Sequence, residues 1–109
     1  MDVETVAHRL GIGRDDLLEL LEIFLQTSRA DLGILEKALQ DGAPGPAAAA
    51  AHSIKGAALN LELEEIGDLA RSLETAAKQV LLVVAASRLP ALKEELEKLA
   101  RALSPPGSG

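Results

Sequence analysis

Apolar residues recur along the chain at the three- and four-residue spacing of amphipathic helices, and glycines and prolines divide this pattern into five segments. The predicted helices cover about residues 2–10, 14–40, 46–61 and 63–79, and a fifth ends at Leu103. A loop is predicted over residues 43–46 (Ala-Pro-Gly-Pro). The third helix begins at about Pro46, because proline suits the first turn of a helix. The pattern therefore predicts an all-α protein.

The apolar positions also predict which helix faces are buried. On the second helix, the residues within about 60° of Phe24 on a helical wheel form one face, and they are Leu17, Leu20, Leu21, Ser28, Leu35, Ala38 and Leu39. Asp31 falls on this face too, so either the helix bends or the carboxylate reaches solvent at the edge of a bundle. The buried stripe of the fourth helix is predicted to be Ile66, Leu69, Ala70, Leu73, Ala77 and Val80.

The start of the fifth helix has two interpretations. Leucines recur at helical spacing from Leu89 to Leu103, but Pro90 interrupts the beginning of the pattern. The helix begins either at Leu89, with Pro90 in its first turn, or near Leu82, with a kink at the proline. The apolar residues 80–86 are either buried or form a self-association surface.

Short connections pack successive helices antiparallel, so the second to fifth helices are predicted to form an antiparallel up-down four-helix bundle with the short first helix as a lid. The chain has 109 residues, which suits a single domain, predicted over residues 1–103. Residues 104–109 (Ser-Pro-Pro-Gly-Ser-Gly) have the composition of a flexible tail or a truncated linker.

Charge and composition narrow the function. The net charge of −6, with 11 basic residues scattered among 17 acidic ones, argues against binding to nucleic acid or to an anionic membrane. The absence of cysteine excludes disulfides and thiolate metal sites. The amino terminus is acidic where a signal peptide would be basic, and no apolar run approaches the roughly 20 residues that span a bilayer. We expect a cytoplasmic protein whose partner is another protein.

The third helix carries an unusual outer face. With Ile54 at the centre of its buried side, His52 lies about 160° away and points to solvent. The same face carries Lys55, Gly56 and Leu59, and one turn before His52 lie Ala48 and Ala49. A glycine inside a helix costs about 1 kcal/mol relative to alanine. An exposed leucine and small neighbours favour docking of a partner on this face.

This combination of residues predicts a phosphoryl acceptor. A neutral imidazole is a nucleophile at physiological pH, and an ammonium one helical turn away pairs with the anion formed on the ring. Ordinary roles also fit each residue alone: a surface histidine, a glycine in tight helix packing and a solvated lysine. A metal site is disfavoured, because His8 is the only other histidine and lies in a different segment.

The run from His52 to Leu61 (His-Ser-Ile-Lys-Gly-Ala-Ala-Leu-Asn-Leu) resembles the His-x-x-Lys-Gly signature of histidine phosphotransfer (HPt) domains. The similarity continues through Leu69-Ala70 and Leu73–Lys78, which resemble the following helix of that family. Chain length and helix order match as well, so the resemblance covers nearly the whole chain. One departure is Glu62, where family members often have glycine after the third helix, which affects the turn and not the site.

The resemblance implies a phosphorelay intermediate without kinase activity of its own. His52 would receive a phosphoryl group on Nε2 from the aspartate of a response-regulator receiver domain, or from a sensor or hybrid histidine kinase, and pass it to another receiver. Lys55 would steady the phosphoryl group, Gly56 would admit the receiver, and Lys78 or Glu74 would assist. No cofactor is implied for this chain, because the receiver binds the magnesium; we expect a monomer.

Two further interpretations remain open from the residues. The chain is alternatively a non-catalytic helical adaptor that docks a partner through the Leu59 face, or the phosphoacceptor piece of a larger hybrid kinase. An autophosphorylating kinase fragment is disfavoured, because no glycine-rich nucleotide motif is present.

Overall fold

The computed structural model of the chain describes residues 2–104. In that range the regular secondary structure is entirely helical, as predicted. The helices are α1 (Val3–Leu10), α2 (Arg14–Gln40), α3 (Pro44–Asn60), α4 (Glu64–Lys78) and α5 (Leu82–Leu103). The predicted tail, except for Ser104, lies outside the described residues.

The helix boundaries agree with the sequence pattern except at α3. The bounds of α2 are as predicted, whereas the loop predicted over residues 43–46 is wrong, because α3 already begins at Pro44. Pro44 and Pro46 both fit in the first turn, where a backbone N–H has no partner within the helix and its loss costs nothing.

The fifth helix begins at Leu82 and runs through Pro90, so the alternative start at Leu89 is wrong. Burial of the apolar residues 80–86 is also mostly wrong. Ala85 is fully buried, but Val80 is 63% exposed and Val83 85% exposed. Val80 therefore does not extend the buried stripe of α4, because the chain leaves the helix at Gln79.

Contacts between α2, α3, α4 and α5 close a ring: α2 and α4 each pack against both α3 and α5. The helix α1 packs on α2 and buries Val6 and Ala7. The core inside the ring is aliphatic, and its fully buried large side chains include Leu17, Leu21, Leu35, Ile54, Leu73 and Leu92.

Two residues of the predicted α2 face lie at its edge. Leu20, predicted to be buried, is 42% exposed, which corrects that assignment. Asp31 is half-buried and accepts a hydrogen bond of 2.7 Å from the Ser53 hydroxyl of α3. The carboxylate therefore reaches the edge of the bundle and joins α2 to α3 beside His52.

The turn after α4 places a β-branched residue in a left-handed conformation. Val80 has φ +59°, and the N–H groups of Val80 and Leu81 donate to the carbonyls of Ala77 and Ala76, at 3.0 and 2.8 Å. This is the Schellman pattern of helix termination, whose left-handed position is usually glycine. Glu62, at φ +59°, occupies the same position after α3, so the turn forms there without the glycine that the resemblance implied.

We expect Val80→Gly to stabilise the protein. A left-handed backbone costs an L-residue roughly 1–2 kcal/mol, and a β-branched side chain makes it a genuine outlier. The side chain is 63% exposed, so its removal forfeits little burial. A gain of about 1 kcal/mol corresponds to a rise of roughly 4–8 °C in Tm for a domain of this size, measurable by thermal circular dichroism.

Val83→Gly is the matched control for the loss of an exposed valine. Val83 lies in the first turn of α5, is still more exposed and has no positive φ, so glycine there relieves no strain and should leave Tm unchanged or lower it. An unchanged or lower Tm for Val80→Gly would show that the left-handed valine carries no strain.

Candidate functional site

His52 lies on the outer surface of α3, and 65% of its side chain is exposed. Its ring is nevertheless held on one side, because Nδ1 lies 2.7 Å from Oε2 of Glu74 on α4. The Nε2 edge of the ring has no such partner among the described residues. The helix α3 thus presents one ring nitrogen to solvent and fixes the other against the neighbouring helix.

Glu74 is the centre of the site. Only 4% of the residue is exposed, since it lies on the buried stripe of α4 between Ala70 and Ala77. Its Oε1 accepts a hydrogen bond of 2.7 Å from Nζ of Lys55, and Nζ of Lys78 lies 3.2 Å from Oε2. A buried carboxylate is tolerated only when it is paired in this way.

These contacts determine the protonation state of the Glu74 carboxylate. Burial alone would raise the pKa of Glu74, but hydrogen bonds from Lys55, Lys78 and His52 outweigh burial and lower the pKa from 4.5 to about 2. At neutral pH the ionised carboxylate can only accept hydrogen bonds. The hydrogen between His52 and Glu74 therefore lies on Nδ1, and in the form of the ring that carries one hydrogen the lone pair lies on the exposed Nε2.

The lowered pKa of Glu74 predicts a loss of stability in acid. The unfolded chain takes up this proton near pH 4.5 and the folded chain only near pH 2, so the stabilisation is fully present above about pH 4.5 and is lost as the pH falls toward about 2. Denaturant unfolding at a series of pH values measures this slope. Glu74→Gln should make the slope shallower in that window; an identical slope would contradict the assignment.

Gly56 lies one turn after His52 on the same outer face. A Cβ added there would meet no other atom within 4 Å, leaving aside its chain neighbours and the backbone of its own helix. The alternative of tight helix packing at Gly56 is therefore wrong. Space over this residue is open toward solvent.

Leu59 is 37% exposed and leans toward α4. A Cβ added at Gly67 of α4 would lie 2.6 Å from Cδ2 of Leu59, so Gly67 is the glycine that serves close packing. The helical pattern did not predict this role for Gly67. The available signal was that Gly67 directly follows Ile66, which is a residue of the predicted buried stripe.

Ala48 and Ala49, the two alanines one turn before His52, differ in their exposure to solvent. Ala49 is exposed, but Ala48 is only 8% exposed, so its predicted place in an exposed docking patch is wrong. Ala48 lies about 120° from Ile54 on the helical wheel, on the side of Lys55. Lys55 and Leu59, on the same side of α3, contact α4, so that side faces α4 and not solvent.

Apolar side chains on α2 extend the outer face, which the helical pattern did not predict. Leu20, Ile23 and Ile34 are each at least 42% exposed. They fall within about 80° of Asp31 on the helical wheel, on its solvent side. Because Asp31 contacts Ser53, next to His52, this stripe borders the exposed face of α3. The sequence carries a signal for Ile23 and Ile34, which lie beside the predicted buried face, whereas the pattern places Leu20 on that face.

Other kinds of site find little support in residues 2–104. No group of three His, Asp or Glu side chains is placed to hold a metal ion, and His8 is a surface residue. No helix in this range has the length and apolar character needed to cross a membrane.

Comparison with known proteins identifies a family for most of the chain. The model of the Hpt domain family matches residues 19–102, which is well over half of the chain and includes all of the side chains around Glu74. No curated protein and no solved structure matches the chain.

Proposed function

We propose that this chain, which belongs to the Hpt domain family and so takes part in phosphoryl transfer in two-component phosphorelays, carries the phosphoryl group on His52. The group comes from, or passes to, the aspartate of a response-regulator receiver domain. The observation that carries the proposal is the exposed imidazole whose Nδ1 is held by the buried Glu74 carboxylate, at 2.7 Å. That contact leaves Nε2 as the nucleophile.

The reaction needs no proton transfer at the moment of attack. The Nε2 lone pair attacks the phosphorus of a receiver aspartyl phosphate, the new N–P bond forms, and the P–O bond to the aspartate breaks to release its carboxylate. The imidazole becomes cationic while it keeps the hydrogen on Nδ1. Glu74, ionised at neutral pH, stabilises that cation through the same hydrogen bond. The reverse steps return the group to a receiver.

The open space over Gly56 supports a role in admitting the partner. In-line transfer brings the two proteins nearly into contact around His52. We expect Gly56→Ala to raise stability by up to about 1 kcal/mol, because its Cβ meets no other atom within 4 Å. Gly56→Gln should fold as the parent does but transfer about 10-fold more slowly or worse, since even a small misplacement of the reactants is costly.

Stopped-flow transfer rates and thermal unfolding of the same Gly56 variants test this prediction. A Gly56→Gln protein that folds and transfers phosphate at the parent rate would remove the access role. Ala91→Gln is a matched control, because it adds a long polar side chain at an exposed position of α5, outside the proposed docking surface.

The receiver is proposed to dock on the apolar surface around His52. On α3 this surface contains Ala49 and Leu59, and on α2 the stripe of Leu20, Ile23 and Ile34 continues it. Apolar area next to the nucleophile contributes binding energy, and the surrounding charges set the orientation of the partner. The occupant is a receiver because the family transfers phosphate with receivers.

Several finer properties belong to the same proposal. The chain is proposed to act in the cytoplasm as a monomeric phosphocarrier without nucleotide-dependent kinase activity, and to exchange phosphate with receivers and with a sensor or hybrid histidine kinase. No cofactor is proposed for this chain. The magnesium that supports transfer would be bound by the receiver.

We also infer the antiparallel up-down direction of α2–α5. Along α3 and α4 the contacts run in opposite directions, because Leu59 lies by Gly67 while His52 lies by Glu74. Ion pairs between α2 and α5 follow the same order, joining Arg29 to Glu97 and Glu36 to Lys93. Connections of three residues between successive helices also favour this topology.

The test is incubation of the chain with a panel of phosphorylated receiver domains. A phosphocarrier gains phosphate that is labile in acid and stable in alkali, whereas a non-catalytic adaptor binds a receiver and gains none. The buried, threefold-paired Glu74 favours the carrier, because an adaptor that binds only through its apolar surface has no use for a polarised imidazole. Absence of transfer from every receiver and kinase tested would overturn the proposal.

A further inference from the structure

The two lysines of the site hold Glu74 unequally. Nζ of Lys55 lies 2.7 Å from Oε1, and 21% of the Lys55 side chain is exposed. Nζ of Lys78 lies 3.2 Å from Oε2, and 65% of the Lys78 side chain is exposed. Lys55 is thus enclosed and tightly bound, while Lys78, the last residue of α4, extends into solvent with a longer contact.

The two oxygens of Glu74 depend on these lysines to different degrees. Oε2 is shared by Lys78 and His52 Nδ1, so it keeps a hydrogen bond when Lys78 departs. Oε1 has only Lys55 among the described residues. Departure of Lys55 would leave a buried carboxylate oxygen without a partner, which costs more than the loss of one solvent-exposed contact.

We propose that Lys78 is the cation that contacts the phosphoryl group on His52, and that Lys55 is a positioning residue that keeps Glu74 in place. The inference rests on the proposed function and refines the role expected for Lys55. Lys78 and His52 bind the same carboxylate oxygen, so the lysine ammonium lies within two hydrogen-bond lengths of the ring. A rotation of its exposed side chain brings it to the phosphoryl oxygens.

The movement of Lys78 is an exchange of partners in step with transfer. Before transfer, its ammonium pairs with Glu74. Once the N–P bond to Nε2 forms, the dianionic phosphoryl group offers the ammonium a stronger partner in solvent. The ring cation, formed at the same moment, keeps its Nδ1 hydrogen bond to Glu74 and takes over the charge compensation of Oε2.

The experiment compares Lys78→Gln with Lys55→Gln in the full chain. A cation on the phosphoryl group lowers the pKa of its second ionisation, which 31P NMR measures as a titration of the phosphohistidine signal. Lys78→Gln should raise that pKa and slow phosphate uptake roughly 10- to 100-fold, and Lys78→Arg should restore both in large part. Lys55→Gln should leave the phosphoryl pKa nearly unchanged and lower Tm.

Two readouts separate this inference from the proposed function. A parent chain that takes up no phosphate would overturn the proposed function itself. A parent that is phosphorylated, with a phosphoryl pKa raised by Lys55→Gln as much as or more than by Lys78→Gln, would overturn only the division between the lysines. If Lys55→Gln fails to fold, Lys78→Gln decides alone: an unchanged phosphoryl pKa in that variant contradicts the inference.

Discussion

A His52→Gln variant is expected to take up no phosphate from any phosphorylated receiver that labels the parent chain. Glutamine keeps a polar side chain that can donate toward Glu74, but it has no nucleophilic nitrogen. The fold should be unaffected, because 65% of the His52 side chain is exposed and surface substitutions usually change stability by less than about 0.5 kcal/mol. Acid-labile 32P incorporation, followed over time, measures the result.

The chain provides its own control, because it contains two histidines. His8 is also exposed but lies on α1, away from Glu74 and the two lysines. His8→Gln should therefore accept phosphate at the parent rate. Labelling of the His52 variant at the parent level would refute the assignment of the nucleophile.

Ile54→Ala is expected to produce the largest loss of stability among single substitutions on α3. Ile54 is fully buried, and truncation of such a side chain costs about 2–5 kcal/mol because a cavity remains. That is a large share of the roughly 5–15 kcal/mol that separates folded from unfolded domains. Urea unfolding should show a lower midpoint with an unchanged m-value.

Leu59→Ala is the matched substitution on the opposite face of the same helix. Leu59 is 37% exposed and its inner edge contacts the α4 backbone at Gly67, so its loss should cost clearly less stability than the loss of Ile54. Full burial of a leucine contributes about 1.5–3 kcal/mol, and only the exposed 37% of Leu59 remains for the receiver to bury, so receiver binding should weaken by up to about 1 kcal/mol. Equal destabilisation by the two substitutions would place Leu59 in the core and contradict the docking surface.

Periodicity predicted the helices because each buries one apolar stripe, and burial imposes the 3.6-residue repeat wherever a helix packs. It located α2 at its true bounds and set Ile54 and His52 on opposite faces of α3. It was wrong at Pro44 and left two starts open around Pro90, because proline is compatible with a first turn and also with a longer helix that other contacts stabilise. Local pattern does not distinguish those cases.

The sequence pattern located the candidate site on α3, but Glu74, the residue at its centre, lies on α4. His52, Lys55 and Gly56 are neighbours in sequence, so their common face follows from helical geometry. Glu74 was named only for its position on the next helix. An acid on the buried stripe of α4 was a signal for a partner, but periodicity does not say which cations meet it.

The sequence by itself determined the helical class, the outward direction of His52 and the match to the Hpt domain family, because each depends on spacing within a segment. Only the tertiary structure decided that Glu74 joins His52, Lys55 and Lys78, that Gly67 and not Gly56 serves close packing, and that Ala48 is covered. These facts depend on how α4 lies against α3. The pairing of helices is set by the sum of many weak contacts between distant segments, so no single stretch of sequence encodes it.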